Sequence, residues 1–96
     1  MTFNNSEPEP LHKIWFKKEQ GRFLKEARLK AGLSLRDVAR RTGVDIRPVE
    51  RGEVNLQARN LVFLLRLYGV SDMHFMIWEQ YVGAKIRQML PLKTLH

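Results

Sequence analysis

The chemistry open to this chain lies in its guanidinium groups. Of its 17 Lys and Arg, 12 fall between Leu11 and Arg51, against five Asp or Glu, so the formal charge of +7 sits wholly in that stretch. The remainder of the chain balances to zero. A one-sided basic field draws polyanions and speeds their capture. Within it, Leu35, Val38 and Ala39 mark the inward face of a helix, which leaves Arg36, Arg40 and Arg41 to face water or a ligand.

Other chemistries find no support. The chain has no cysteine, hence no disulfide framework and no thiolate metal site. His12, His74 and His96 lack metal-ligand spacing among themselves or with carboxylates. No nucleophile has a nearby base, and no glycine-rich phosphate loop occurs. Glu26, Asp37 and Glu50 suit helix pairing and bracing better than proton transfer. Neither an enzyme, a cofactor nor a metal is expected. No apolar run approaches the roughly 18 residues of a membrane span, so no membrane partner is expected. Met1 to Pro10 is polar and acidic, without the basic start and apolar stretch of a signal peptide. A cytoplasmic protein is the expectation.

The elements that must position the arginines are helices. With 96 residues there is room for one domain. Residues 1–10 (MTFNNSEPEP), with prolines among acids, read as a disordered arm, and residues 11–96 as a single helical domain. Leu11 to Phe16 is a short amphipathic patch, with Trp15 and Phe16 packing on the domain edge or on a partner. A first helix is expected from about Glu19 to Ala31, since Phe23, Leu24, Ala27 and Ala31 recur at helical spacing before Gly32. Ser34 and Asp37 form a capping-box-like start for the second. Gly43 supplies a sharp turn, and Asp45 can cap a short third helix, Ile46 to Arg51, with Pro48 tolerated in its first turn. Asn55 is expected to cap a fourth helix running to Gly69. Ser71 or Asp72 opens a fifth that ends near Leu90, before Pro91. The class is all-α.

Ala39, Gly43, Val44 and Val49 give the order of small, turn and apolar residues that a helix-turn-helix requires. A small residue permits close approach of two helices, the glycine bends the chain, and the valines wedge the second helix of the pair onto the core. The stretch LKEARLKAGLSLRDVARRTGV, Leu24 to Val44, resembles the lambda-repressor/Cro-like family of XRE-type regulators. Asn55 to Val70 is similar to that family's fourth-helix segment, and the resemblance covers about half the chain. It implies a five-helix lambda-repressor-like DNA-binding domain, here with a longer C-terminal helix. It also implies that Arg28 and Glu50 form a structural brace between the first and third helices.

The third helix departs from the family. Aligning Ile46 to Gly52 with the family's third-helix end leaves it about three residues short, close to one turn. An ungapped register instead puts Val49 on the apolar position and Gly52 where a large apolar residue is expected. Either way the reading helix is short. Leu35 stands where the family often has a phosphate-binding glutamine.

The resemblance implies double-stranded DNA as partner and transcription regulation as role. Arg47 and Arg51 become candidate base contacts, because arginine grips guanine with two parallel hydrogen bonds. Arg36, Arg40 and Arg41 become candidate phosphate contacts, with Lys30 and Asn55 behind them. The fifth helix carries more large side chains than one core face needs. Met73, Ile77, Trp78 and Tyr81 are expected to form a homodimer or partner interface. The alternative function is a protein-interaction module on the same fold, antiactivator, antirepressor or antitoxin-like, that binds another transcription regulator.

Overall fold

A computed structural model describes residues 9–90. They form five helices: α1 (Leu11–Lys30), α2 (Leu35–Thr42), α3 (Arg47–Glu50), α4 (Ala58–Leu67) and α5 (Asp72–Met89). The described residues contain no strand. The expected disordered arm, apart from Glu9 and Pro10, and the expected stop at Pro91 lie outside the described residues.

α1 is longer than the sequence suggested. It begins at Leu11 behind Pro10, whose carbonyl accepts from the amides of Lys13 and Ile14. The patch expected to stand apart is therefore its first two turns. Gly21, already inside the expected helix, lies in the middle of this longer one, where glycine ordinarily weakens a helix. Here it is buried for a spatial reason: a Cβ would strike the carbonyl oxygens of Val49 and Glu50. The glycine lets the end of α3 rest directly on α1.

The added turns of α1 pack on α5. Trp15 meets Tyr81, Phe16 meets Trp78, and Phe23 stacks on Trp78 with ring centroids 4.5 Å apart. Later residues of α1 meet earlier residues of α5, so the two helices run antiparallel. Trp78, expected at an interface with a partner, is 7% exposed and belongs to the core. Its indole N–H donates to Glu19 Oε2 at 2.8 Å, which gives the one polar atom of the ring a partner inside. Glu19 is itself buried and takes a two-point bond from Arg22. The Arg22 contact, and then the indole, hold its carboxyl below the usual range despite burial.

Ser34 caps α2 as expected. Its hydroxyl accepts from the Asp37 amide at 2.9 Å, and the Asp37 carboxylate accepts from the Ser34 amide at 2.9 Å. Gly43 ends the helix at φ 74°, a left-handed conformation that costs glycine little. α4 starts later than expected. Asn55 does not cap it; the chain stays extended to Gln57, and the Leu56 amide donates to Gln20 Oε1 of α1 at 3.1 Å. That buried glutamine holds the incoming loop, so the helix can begin only beyond it. Ser71 caps α5 by accepting from the His74 amide at 3.0 Å. Leu24, Val38, Ile46 and Leu64 are the most completely enclosed side chains, drawn from α1, α2, the turn and α4.

Candidate nucleic-acid interface

The surface of interest is built on α2, the turn after it, and α3. Thr42 stiffens the turn: its hydroxyl donates to the Val38 carbonyl at 2.8 Å and accepts from the Val44 amide at 2.9 Å. α3 has four residues, hardly more than one turn. Asp45 Oδ1 accepts from the Arg47 amide at 3.0 Å, which satisfies a donor at its start. Val49 and Ile46 anchor it in the core.

The structure separates the two registers left open by the sequence. Gly52 cannot stand at an apolar core position, since a Cβ there would lie 2.9 Å from the Lys18 Cα. Glu50 instead meets Arg28, as the register with a missing turn requires. Arg28 Nε donates to Glu50 Oε2 at 2.7 Å and Nη2 to Oε1 at 3.0 Å. Its Nη1 donates to the Leu33 carbonyl at 2.9 Å, which ties α1, the α1–α2 loop and α3 at one point. Both side chains are 7% exposed. The Glu50 bonds hold Arg28 firmly protonated, above the usual range for arginine.

The missing turn exposes what a longer α3 would cover. Ala39, expected to face inward, is exposed. It forms part of an open cleft of about 410 Å³ with Leu35, Arg36, Asp45 and Arg47. Leu35 is partly buried against the core and lines this cleft as well, so it serves as an apolar floor at the position where the family often has a phosphate-binding glutamine. A second cleft, about 240 Å³, is lined by Lys25, Arg28, Leu35, Arg47, Glu50 and Arg51.

All five arginines proposed from sequence are exposed; Arg36 and Arg47 line the first cleft, and Arg47 and Arg51 the second. Arg40 Nη2 meets Asp37 Oδ1 at 3.1 Å. Arg47 forks onto Asp45, and Arg51 forks onto Glu53. The Arg47 contact depresses the Asp45 carboxyl to about 2. Lys30, a lesser candidate, belongs to another cleft with Phe23, Glu26 and His74, on the α5 side of α1. Sequence reading missed Lys25, which α1 contributes to the arginine cleft, Glu53, and the pairing with Arg47 of Asp45, expected only as a cap. The alternation Asp45-Ile-Arg47 and Arg51-Gly-Glu53 carried the second signal, since opposite charges two apart can fold together in a turn.

On α5, Met73 and Ile77 are 66% and 56% exposed, and Met76 and Tyr81 are about half exposed. Of the expected interface only Trp78 is withdrawn. Among the described residues, no helix is long and apolar enough to cross a membrane, and no cluster of His, Asp and Glu could hold a metal ion.

A family model described as a helix-turn-helix domain matches residues 19–74, more than half of the chain. The match starts within α1 and ends at His74 in α5, so it takes in α2, α3 and α4 entire. No curated protein and no solved structure matches the chain.

Proposed function

We propose that this chain, which belongs to the helix-turn-helix domain family, is a DNA-binding transcription regulator of the XRE type that acts as a dimer. The observation that carries the reading is the set of exposed arginines on α2 and at the two ends of α3. Arg47 and Arg51 project from the start and end of α3, where base edges would lie. Arg36, Arg40 and Arg41 on α2 are placed for phosphates on the flanking backbone. A one-turn reading helix offers few base contacts, so α2 carries much of the affinity. Met73, Ile77 and Tyr81, exposed on α5, form the dimer face, which brings two such heads onto two half-sites.

The test is a mobility shift with the DNA upstream of the protein's own coding sequence, repeated across salt concentrations. Phosphate contacts make log K fall linearly with log salt, by about 0.9 per phosphate. Saturating protein with no salt-dependent binding would sink the reading.

A second reading draws on a different observation. Both base-contact arginines are already paired with carboxylates, and α5 presents exposed methionines. These features suit a protein-interaction module that docks on another transcription regulator. A pull-down that recovers only DNA would count against it.

A further inference from the structure

Arg47 and Arg51 are held in the same way. Arg47 Nε and Nη2 donate to Asp45 Oδ1 and Oδ2 at 2.9 and 2.8 Å. Arg51 Nε and Nη2 donate to Glu53 Oε2 and Oε1 at 2.9 and 3.2 Å. In both, the carboxylate takes the side edge of the guanidinium. A guanidinium carries five N–H donors in a rigid plane. Two are engaged; of the three left, two lie parallel on the end edge formed by Nη1 and Nη2. That edge has the spacing to donate in parallel to O6 and N7 of one guanine.

We infer that Asp45 and Glu53 are positioning residues of the reading head, which fix Arg47 and Arg51 so that each presents its end edge to a guanine. The inference rests on the DNA-binding reading and gives it a sequence class. Arg47 and Arg51 are four residues apart in helical backbone, roughly 6 Å along the axis. That is about two base-pair steps. The preferred duplex therefore carries two guanines within about that distance.

The physical motive is the shortness of α3. Two arms must do what a longer helix does with several. Free arginine side chains lose rotamer freedom on binding, and ordering one costs roughly threefold to tenfold in affinity. A carboxylate already gripping the side edge removes much of that loss beforehand. It also cancels the arginine's charge toward phosphates in general, which weakens binding to arbitrary sequence more than binding to the matched one.

The experiment begins with selection of duplexes from a randomised pool by the wild-type protein. Anisotropy titrations then compare wild type, Asp45→Asn and Glu53→Gln on the selected duplex, and on the same duplex with 7-deazaguanine at the enriched guanines. Asp45→Asn keeps an oxygen for the Arg47 amide, and Glu53→Gln lies beyond α3, so circular dichroism should show both folded. The wild type should lose roughly fivefold or more when N7 is removed. Each variant should bind the selected duplex about threefold to tenfold more weakly, although each gains positive charge, and should lose less on N7 removal. Variants that bind the selected duplex as well or better, with an undiminished N7 loss, would overturn the inference, because the carboxylates would then only repel phosphate. Selection of a guanine-free sequence would overturn it while leaving DNA binding intact. A wild type that binds no duplex would remove both.

Discussion

Two arginine forks in this molecule have nearly the same geometry and opposite surroundings. Arg28–Glu50 joins residues 22 positions apart and is 7% exposed on both sides. Arg47–Asp45 joins near neighbours and is 61% and 54% exposed. The buried fork has given up water, so each partner depends on the other. The exposed fork is screened and adds little to stability. The same chemistry therefore does two jobs. One guanidinium ties α1 to α3; the other keeps an edge free for a ligand. The helix that carries both arms is short enough that it needs the first pair to stay in place.

The comparison breaks most sharply at Glu50. Glu50→Ala leaves Arg28 buried without its partner and should cost about 3–5 kcal/mol of stability. Urea denaturation would read this as a lower midpoint, and in so small a domain as loss of the folded baseline. Replacing both partners, Arg28→Met with Glu50→Leu, should recover most of the loss, since no charge is then left buried. A double variant no better than Glu50→Ala would mean that the fork's bond to the Leu33 carbonyl matters as much as the ion pair.

The exposed side should respond in the opposite currency. Arg40→Glu with Arg41→Glu should lower DNA affinity roughly a hundredfold or more at moderate salt and flatten its salt dependence. Thermal melting should stay near wild type, because neither side chain is buried. A large drop in Tm would show that α2 is not the independent surface described.

Acid sharpens the contrast by a smaller effect. The Asp45 carboxyl is held at about 2, against 3.8 ordinarily, first by the Arg47 side chain. Glu19 is also lowered, first by Arg22. A carboxyl lowered on folding stabilises the native state above its unfolded value, and that support is lost as pH falls through the folded value. Stability should therefore decline as pH drops from about 4 toward 2. Glu19→Gln should flatten the decline more than Asp45→Asn, because the bonds from Arg22 and the Trp78 indole lower Glu19 against its burial, whereas the exposed Arg47–Asp45 fork is screened by solvent. Equal flattening by the two would mean that the exposed fork contributes as much as the buried network.

What the sequence made legible was local. Ser34, Asp37 and Gly43 bound α2 through short-range hydrogen bonds and one dihedral, so its limits could be read directly. The resemblance to XRE-type regulators supplied the long-range partnership of Arg28 and Glu50. Three features were hidden because they depend on what lies across space. Gly21 carries no sign in the sequence that the end of α3 rests on it. Trp78 could not be told from its neighbours on α5 by type, and only the stack with Phe23 and the Glu19 bond place it inside. Ala39 has the small side chain of a helix contact, yet the turn that would cover it is missing. The shortness of α3 was visible as missing residues; the clefts it opens were not.

The buried fork has a neighbour that offers the finest test. Tyr68 is a core residue whose hydroxyl has no hydrogen-bond partner among the described residues. Burial, then the Glu50 charge, push its phenol up to about 12, while Arg28 pulls the other way. An enclosed hydroxyl without a partner costs desolvation and gains nothing in exchange. Tyr68→Phe removes only that oxygen and leaves the ring packed. It should be neutral or stabilising by up to about 1 kcal/mol in urea denaturation. The opposite sign, a loss of 1 kcal/mol or more, would show that the hydroxyl is bonded to the fork through a bridging water. The fork would then be a three-residue network rather than a pair, and Glu50→Ala in the Tyr68→Phe background should cost less than in the wild type.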